Sequence, residues 1–322
     1  MKLRTQKTYM FLLVLSFLLA DVSESISFAP AIGLIVRSRI PFYLKRITSS
    51  KLFSSIWNKL KSIFNNALKI GDIASGISDL KEYLQFFGYL NSSTLHSNFT
   101  DAFTENLQSA IIEFQTNFNL NTTGQLDQDI YKIISKPRCG VPDIINGTTT
   151  MKNNFINKTM PFKPWWRNVE NRSLAYAFHP ENNVTDNVKS LFQDAFNRWS
   201  NATELNFIET MSFNDSDIRI AFLTLDGKGG TVGGSYINSS VNVGSVYLDA
   251  DEQWVLPSEN VVEEDDVDLE SVVMHQVGHL LGLGHSSVEE AIMYPIVLQE
   301  KKIELVNVDD LQRIQEIYGV NT

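Results

Sequence analysis

The sequence predicts a two-part molecule: a small all-α domain followed by a larger domain of mixed strands and helices, α+β or α/β. Three observations predict it. Short stretches with apolar residues every three or four positions recur between Ile77 and Pro137. Beyond Pro137 strand-like runs mix with longer helical ones. The 322 residues, less an N-terminal leader, leave room for about two domains.

The leader comes first. Lys2, Arg4 and Lys7 precede an apolar run from Met10 to Ala20 broken only by Ser16, and the small residues Ser23 and Ser25 follow. A basic start, a short apolar middle and a small-residue exit describe a secretory signal peptide, here residues 1–25. The run is shorter than the roughly 20 apolar residues that span a bilayer. No later run is long enough either, and residues 318–322 lack the hydrophobic tail of a lipid-anchor signal. A secreted protein without a transmembrane segment is therefore expected. Sequons at Asn91, Asn98, Asn121, Asn146, Asn157, Asn171, Asn183, Asn201, Asn214 and Asn238 suggest a glycosylated surface. The net charge of −10 argues against a nucleic-acid partner, which wants clustered Lys and Arg. A single Cys excludes a disulfide framework, leaving core packing, bound metal or both to hold the fold.

After a basic stretch over residues 27–70, the pattern from Ile77 to Leu90 predicts a helix through Leu80, Tyr83, Leu84 and Phe87, with Gly88 near its end. A second helix, capped by Thr100 or Asp101, runs through Phe103, Leu107, Ile111, Phe114 and Phe118. Asp127 caps a third through Ile130, Ile133 and Ile134, stopped before Pro137. Residues 143–172, rich in Asn, Thr and Pro, read as a linker. Then follow a strand over residues 174–178, a helix over 184–199, a strand over 218–222, the Gly-rich stretch 226–234 and a short strand near 246–248. The acidic run from Glu263 to Asp268 reads as a solvated face leading into a helix over about 268–281. A last helix covers about 308–318.

The chemistry concentrates in residues 275–285, HQVGHLLGLGH. His275 and His279 are four apart, so on a helix they share a face and reach one ion. Gly282 can take the positive φ that ends a helix and turns the chain back, bringing in His285. Three neutral imidazoles with an open fourth position make a catalytic-type zinc site. Three of the five histidines fall in these eleven residues. The lone Cys139 lies in PRCGVPD, residues 137–143, between the two domains. Its thiolate could fill the fourth position and exclude water.

With these motifs the chain resembles the matrix metalloproteinases, metzincins of the matrixin family, and within them the plant branch without a haemopexin-like domain. The likeness covers about residues 77–320. PRCGVPD is similar to the family's cysteine switch, the histidines to its metal site, and SSVEEAIMYP (residues 286–295) to its Met-turn, with Met293 under the zinc. Asp309 and Asp310 resemble the C-terminal helix acids, one of which can pair with the N-terminus freed by activation. The resemblance implies a three-helix, peptidoglycan-binding-like propeptide over 26–149. It also implies a zinc metalloproteinase catalytic domain over 150–322, an α+β metzincin domain with a twisted five-stranded sheet and three helices. It further implies a zymogen opened by an activating protease and acting on extracellular matrix or cell-wall proteins, in the apoplast or extracellular matrix, as a monomer.

The chain departs from that pattern twice. The family has Glu after the first histidine, where it takes a proton from the attacking water; here Gln276 stands in its place. An amide hydrogen-bonds water but has almost no basicity. Zinc binding with peptidase activity severely reduced or lost is expected. One nucleotide separates the two codons, so a natural and an introduced Gln read alike. The alternative function is a zinc-retaining binding protein that captures peptides or inhibitors. A carbohydrate-binding role for the helical domain is the weaker third reading, since Tyr83, Phe86, Phe87 and Tyr89 read as core. The second departure concerns the family's structural zinc. Gly234 and Tyr247 fall where two of its histidines belong, and its His-x-Asp loop is missing, so that zinc is expected to be lost. A neighbouring calcium site is expected to remain, from the carboxylates of Asp226, Asp249 and Glu252 and the carbonyls of Gly227, Gly229 and Thr231.

Overall fold

The computed structural model describes residues 67–90, 99–151, 164–168, 173–256, 266–297 and 308–319, with 61, 63, 64 and 304. The expected signal peptide, most of the basic stretch and the sequons at Asn91, Asn98, Asn157 and Asn171 lie outside the described residues.

Three helices form first: α1 (Ile77–Phe86), α2 (Glu105–Asn117) and α3 (Gln128–Ile134). Their apolar stripes meet in one core in which Leu80, Phe87, Leu107, Phe114 and Ile130 are buried. Tyr83, Phe86 and Tyr89 belong to the same core, so these aromatics offer no platform for a sugar. Asp127 caps α3 as expected, accepting from the N–H groups of Asp129 and Ile130 at 3.1 and 3.0 Å. The cap of α2 is Thr104, not Thr100 or Asp101. Asp101 is used elsewhere: its Oδ1 accepts from the Ser78 N–H at 2.9 Å and hydroxyl at 2.7 Å. It thereby satisfies the start of α1, whose own N-cap Gly76 has no side chain to do so.

The second part is a six-stranded sheet in the order β1-β7-β8-β6-β4-β5. Its strands are β1 (Arg138–Cys139), β4 (Ser173–Phe178), β5 (Asn206–Glu209), β6 (Ile218–Leu223), β7 (Thr231–Asn238) and β8 (Val243–Asp249). Five of these match the sheet the resemblance implied, and the sixth is the switch segment itself, laid parallel along β7. Strand β7 runs antiparallel to β8, while β8, β6, β4 and β5 pair in parallel. The Gly-rich stretch therefore continues into a full strand, with only the two-residue β1 outside it. Between Cys139 and β4 lies a hairpin of β2 (Ile144–Ile145) and β3 (Thr148–Thr149). Helices α4 (Asp186–Ala202) and α5 (Leu269–Leu280) pack on the sheet and each other, and α6 (Val308–Tyr318) closes the core.

Two readings of the sequence are corrected here. Residues 143–151 are not linker: Asp143, Thr150 and Met151 are buried, because the hairpin folds back onto the metal-site loop. The described end of the acidic run is not a solvated face either. Asp266 and Asp268 are buried, and Asp268 caps α5 through Ser271 N at 3.0 Å and Oγ at 2.6 Å. Strand β10 (Val267–Asp268) pairs with β9 (Trp254–Val255), which draws these acids inward.

Candidate metal centre

Helix α5 presents His275 and His279 one turn apart, and Gly282 at φ 103° turns the chain so that His285 returns to the same point. The ring centroids are 4.7 Å apart for His275 and His279, 4.9 Å for His279 and His285, and 5.3 Å for His275 and His285. Cys139 arrives from β1, with Sγ 3.4 Å from His279 Nε2. One donor atom from each of Cys139, His275, His279 and His285 lies within 4.8 Å of the others, all four residues being buried. Among the described residues this is the group of His, Cys and acidic side chains that could hold a metal ion.

The surroundings set the tautomers. His275 Nδ1 lies 2.7 Å from the Ile292 carbonyl and His279 Nδ1 2.9 Å from that of Leu283. A carbonyl only accepts, so each Nδ1 carries the proton and Nε2 keeps its lone pair. His285 Nδ1 donates to Asp143 Oδ1 at 2.7 Å, and its Nε2 is buried without a hydrogen-bond partner. Burial, reinforced by the neighbouring His275 and His285, holds His279 far below the ordinary histidine range. Burial lowers His285 as well, against the pull of Asp143. Neutral imidazoles with inward Nε2 atoms are the ligand form a zinc ion takes. A tetrahedral ion at ordinary Zn–S and Zn–N lengths separates sulfur from nitrogen by roughly 3.5 Å. The residues present fit the group.

Burial pushes the Cys139 thiol up to about 11, partly opposed by the Val141 N–H and the Gln276 amide. Gln276 is fully buried beside it, with Nε2 3.3 Å from Sγ. Met293 is buried below α5, where a Cβ on Gly278 would come within 2.4 Å of its sulfur. Asp310 holds that turn, accepting from the N–H groups of Ile292 at 2.6 Å and Met293 at 3.1 Å. Asp309 is met by Arg313 Nη1 at 3.3 Å.

Sequence reasoning quoted Arg138 and Asp143 inside the switch motif without seeing their task. Arg138 Nη2 pairs with Asp143 Oδ1 at 2.7 Å, Nη1 donates to Tyr83 Oη at 3.0 Å, and the guanidinium lies 3.4 Å from the Phe87 ring centre. Asp143 also accepts from Tyr89 Oη at 2.8 Å. Burial opposes both charges, but each partner more than compensates: Arg138 is held above its ordinary range and Asp143 below. One carboxylate thus ties the helical domain, the switch and a metal-site histidine together. Opposite charges flanking the only Cys were the available signal. Arg313 was missed altogether. It is buried on α6 and donates to the carbonyls of His285 and Gly284, each at 3.1 Å, and of Thr150 at 3.4 Å. Its spacing of four from Asp309 was the hint.

Gly234 and Tyr247 face each other across β7 and β8, so the two positions compared with structural-zinc histidines are neighbours that carry no imidazole. Asp226, Asp249 and Glu252 gather around the β6–β7 loop. The N–H groups of Thr231, Gly227 and Gly229, rather than their carbonyls, meet these acids at 3.0–3.1 Å. Burial, with repulsion from Asp249, pushes Asp226 up to about 8. Burial likewise carries Glu252 to about 8 and raises Asp249.

Residues 165–319 match the model of the matrixin family, and residues 74–134 match a putative peptidoglycan-binding domain. Metalloendoproteinase 5-MMP of Arabidopsis thaliana is 43 % identical over 272 residues, covering 78 % of this chain and 73 % of the relative. The chain belongs to the matrixin family. Metalloendoproteinase 1 of Glycine max is 39 % identical over 78 % of this matrixin and 84 % of its own length. Human matrix metalloproteinase-16 is 31 % identical over 75 % of this chain and 41 % of its own. Matrixins are zinc metalloproteases, and the plant-type relationship explains both the mixed-sheet domain and the helical domain before it. No described helix is long and apolar enough to cross a membrane.

Proposed function

We propose that this matrixin is a secreted, latent zinc metalloendopeptidase-family precursor, with peptidase chemistry suppressed twice: by Cys139 at the metal and by Gln276 at the base position. The signal peptide would occupy residues 1–25, the propeptide 26–149 and the catalytic domain 150–322. The exposed sequon residues Asn121, Asn146, Asn183, Asn201 and Asn214 suit a glycosylated, extracellular surface. The observation that carries the reading is the convergence of Cys139 Sγ with the donor atoms of His275, His279 and His285.

Zinc, when bound by these residues, supplies Lewis acidity toward a scissile carbonyl and toward water. The rest is the work of the chain. Cys139 would hold the ion together with the three histidines and keep water from it. The switch segment closes the edge of β7: Arg138 N–H donates to Gly230 O at 2.9 Å and Gly140 N–H to Gly233 O at 2.8 Å. On its far side Cys139 N–H donates to Pro295 O at 2.8 Å and Val297 N–H to Pro137 O at 2.9 Å. The segment runs parallel to β7, whereas a substrate peptide is expected antiparallel there, on the same backbone groups. Beside the metal site lies a cleft lined by Val232, Val272, Ile292, Tyr294 and Ile296. It suits an apolar side chain of an extracellular protein or peptide. Cys139→Ser should raise binding of a metal-directed hydroxamate to the intact chain without proteolysis. Unchanged binding would count against latency.

The second reading, a zinc-retaining binding protein, is favoured by Gln276, which lines that cleft without a basic oxygen to take a proton. We also assign one zinc per chain, since Gly234 and Tyr247 supply no ligand pair for a second. Metal analysis of the purified chain should return one tightly held zinc, and two would contradict the assignment.

Calcium is proposed at the β6–β7 loop, supported by three crowded acids and by Thr231 Oγ1, buried with no hydrogen-bond partner. Without a cation, Asp226 and Glu252 keep protons in the folded state that the unfolded chain releases above about pH 4. The folded form then binds more protons, so stability falls as pH rises from about 4 through about 8. Thermal unfolding with zinc held constant should show a lower midpoint at pH 8 than at pH 5.5 in calcium-free buffer, and calcium should remove the difference. A pH dependence indifferent to calcium would overturn the proposal.

A further inference from the structure

The Gln276 amide links Cys139 to Ser235, a side chain that the proposed mechanism does not use. Its Nε2 lies 3.3 Å from Cys139 Sγ, and its Oε1 lies 2.8 Å from Ser235 Oγ. The Ser235 hydroxyl is equally close, at 2.8 Å, to the main-chain carbonyl of Gln276, so one proton serves two acceptors on the same residue. All three residues are buried. The sulfur has a second donor in the Val141 N–H at 3.4 Å.

We propose that Gln276, held by Ser235, is a positioning donor for a sulfur ligand, making the cleft a site that retains thiolate-bearing peptides, its own Arg138-Cys139-Gly140 segment first, after the chain is cut. This rests on the reading of the cluster as a zinc site with Cys139 as a ligand. On coordination the thiol gives its proton to solvent, and no redox step is involved.

The argument is one of complementary donors. A metal-bound thiolate only accepts hydrogen bonds, and a carboxylate at position 276 would also only accept, placing two anions about 3.3 Å apart. The amide carries no charge and turns an N–H toward the sulfur, while Ser235 holds its oxygen end. Hydrogen bonds to a charged acceptor are about twice as strong as neutral ones. The same exchange that removes a base therefore strengthens the closed state. Four backbone hydrogen bonds hold residues 137–140 between β7 and residues 295–297, so the segment can stay docked without covalent continuity.

The test uses the whole chain with a specific protease site installed within residues 153–158. The zinc-loaded protein is cut there, and release of the N-terminal fragment is followed by size-exclusion chromatography. Gln276→Met removes the N–H at similar length without supplying a base, and Ser235→Ala frees the amide. Release should be at least tenfold faster in Gln276→Met and faster in Ser235→Ala, and the Gln276→Met effect should vanish when Cys139→Ser is added. A release rate within twofold of the unaltered chain, or an equal acceleration with Cys139→Ser present, overturns the inference. Peptide turnover by the cut, unaltered chain is read in parallel. Turnover there bears on catalytic suppression alone, so the two failures are distinguishable.

Discussion

Gln276→Glu is expected to raise peptide turnover by the proteolytically processed protein by about 10²–10⁴, the usual worth of a positioned general base. The position is already correct: residue 276 follows His275 on α5, is fully buried, and points its side chain at the Cys139 sulfur. A carboxylate there would accept from Ser235 Oγ, which already lies 2.8 Å from Oε1, and would have its second oxygen free to take a proton. The gain should appear mainly in kcat, because the binding cleft and backbone edge are untouched. A quenched peptide assayed beside the unaltered protein measures it. Equal turnover would mean that position 276 does not limit the chemistry.

Asp143→Ala is expected to open the switch. Arg138 loses its carboxylate in a fully buried place, Tyr89 loses the acceptor for its hydroxyl, and His285 loses the group that fixes its Nδ1 proton. Removing one partner of a buried pair costs about 3–5 kcal/mol, because the remaining charge stays desolvated. Most of that cost falls on the docked state, in which Arg138 lies against Phe87 and Tyr83. Alkylation of Cys139 in the intact, zinc-loaded chain should therefore accelerate by about 10² or more. Replacing both partners by apolar residues, Arg138→Met with Asp143→Leu, should recover part of the loss. An unchanged alkylation rate in Asp143→Ala would show that the pair does not hold the segment closed.

Much of the architecture was legible because its signals are local. Periodicity placed α1, α4 and α6 within a few residues, Asp127 was correctly read as a cap, and the metal motif carried its own geometry in the spacing of His275, His279, Gly282 and His285. What the sequence hid was set by distant partners. Asp101 caps a helix that begins 24 residues before it in the chain, which no window around α2 reveals. The hairpin at 144–149 looked like linker because Asn, Thr and Gly dominate it, yet it is folded down where the Thr150 hydroxyl accepts from the His285 N–H at 3.2 Å. Strand β7 begins inside the Gly-rich stretch, and its partner β1 comes from the segment that follows the helical domain, a pairing that only the tertiary fold creates. Arg313 illustrates the same limit, since its four acceptors come from three segments of the chain.

The most direct test of the account is X-ray absorption at the zinc edge on the intact, unprocessed protein. One sulfur at about 2.3 Å and three nitrogens at about 2.0–2.1 Å are predicted around a single zinc, with the sulfur replaced by a lighter ligand in Cys139→Ser. A shell of nitrogen and oxygen alone in the unaltered chain would contradict it.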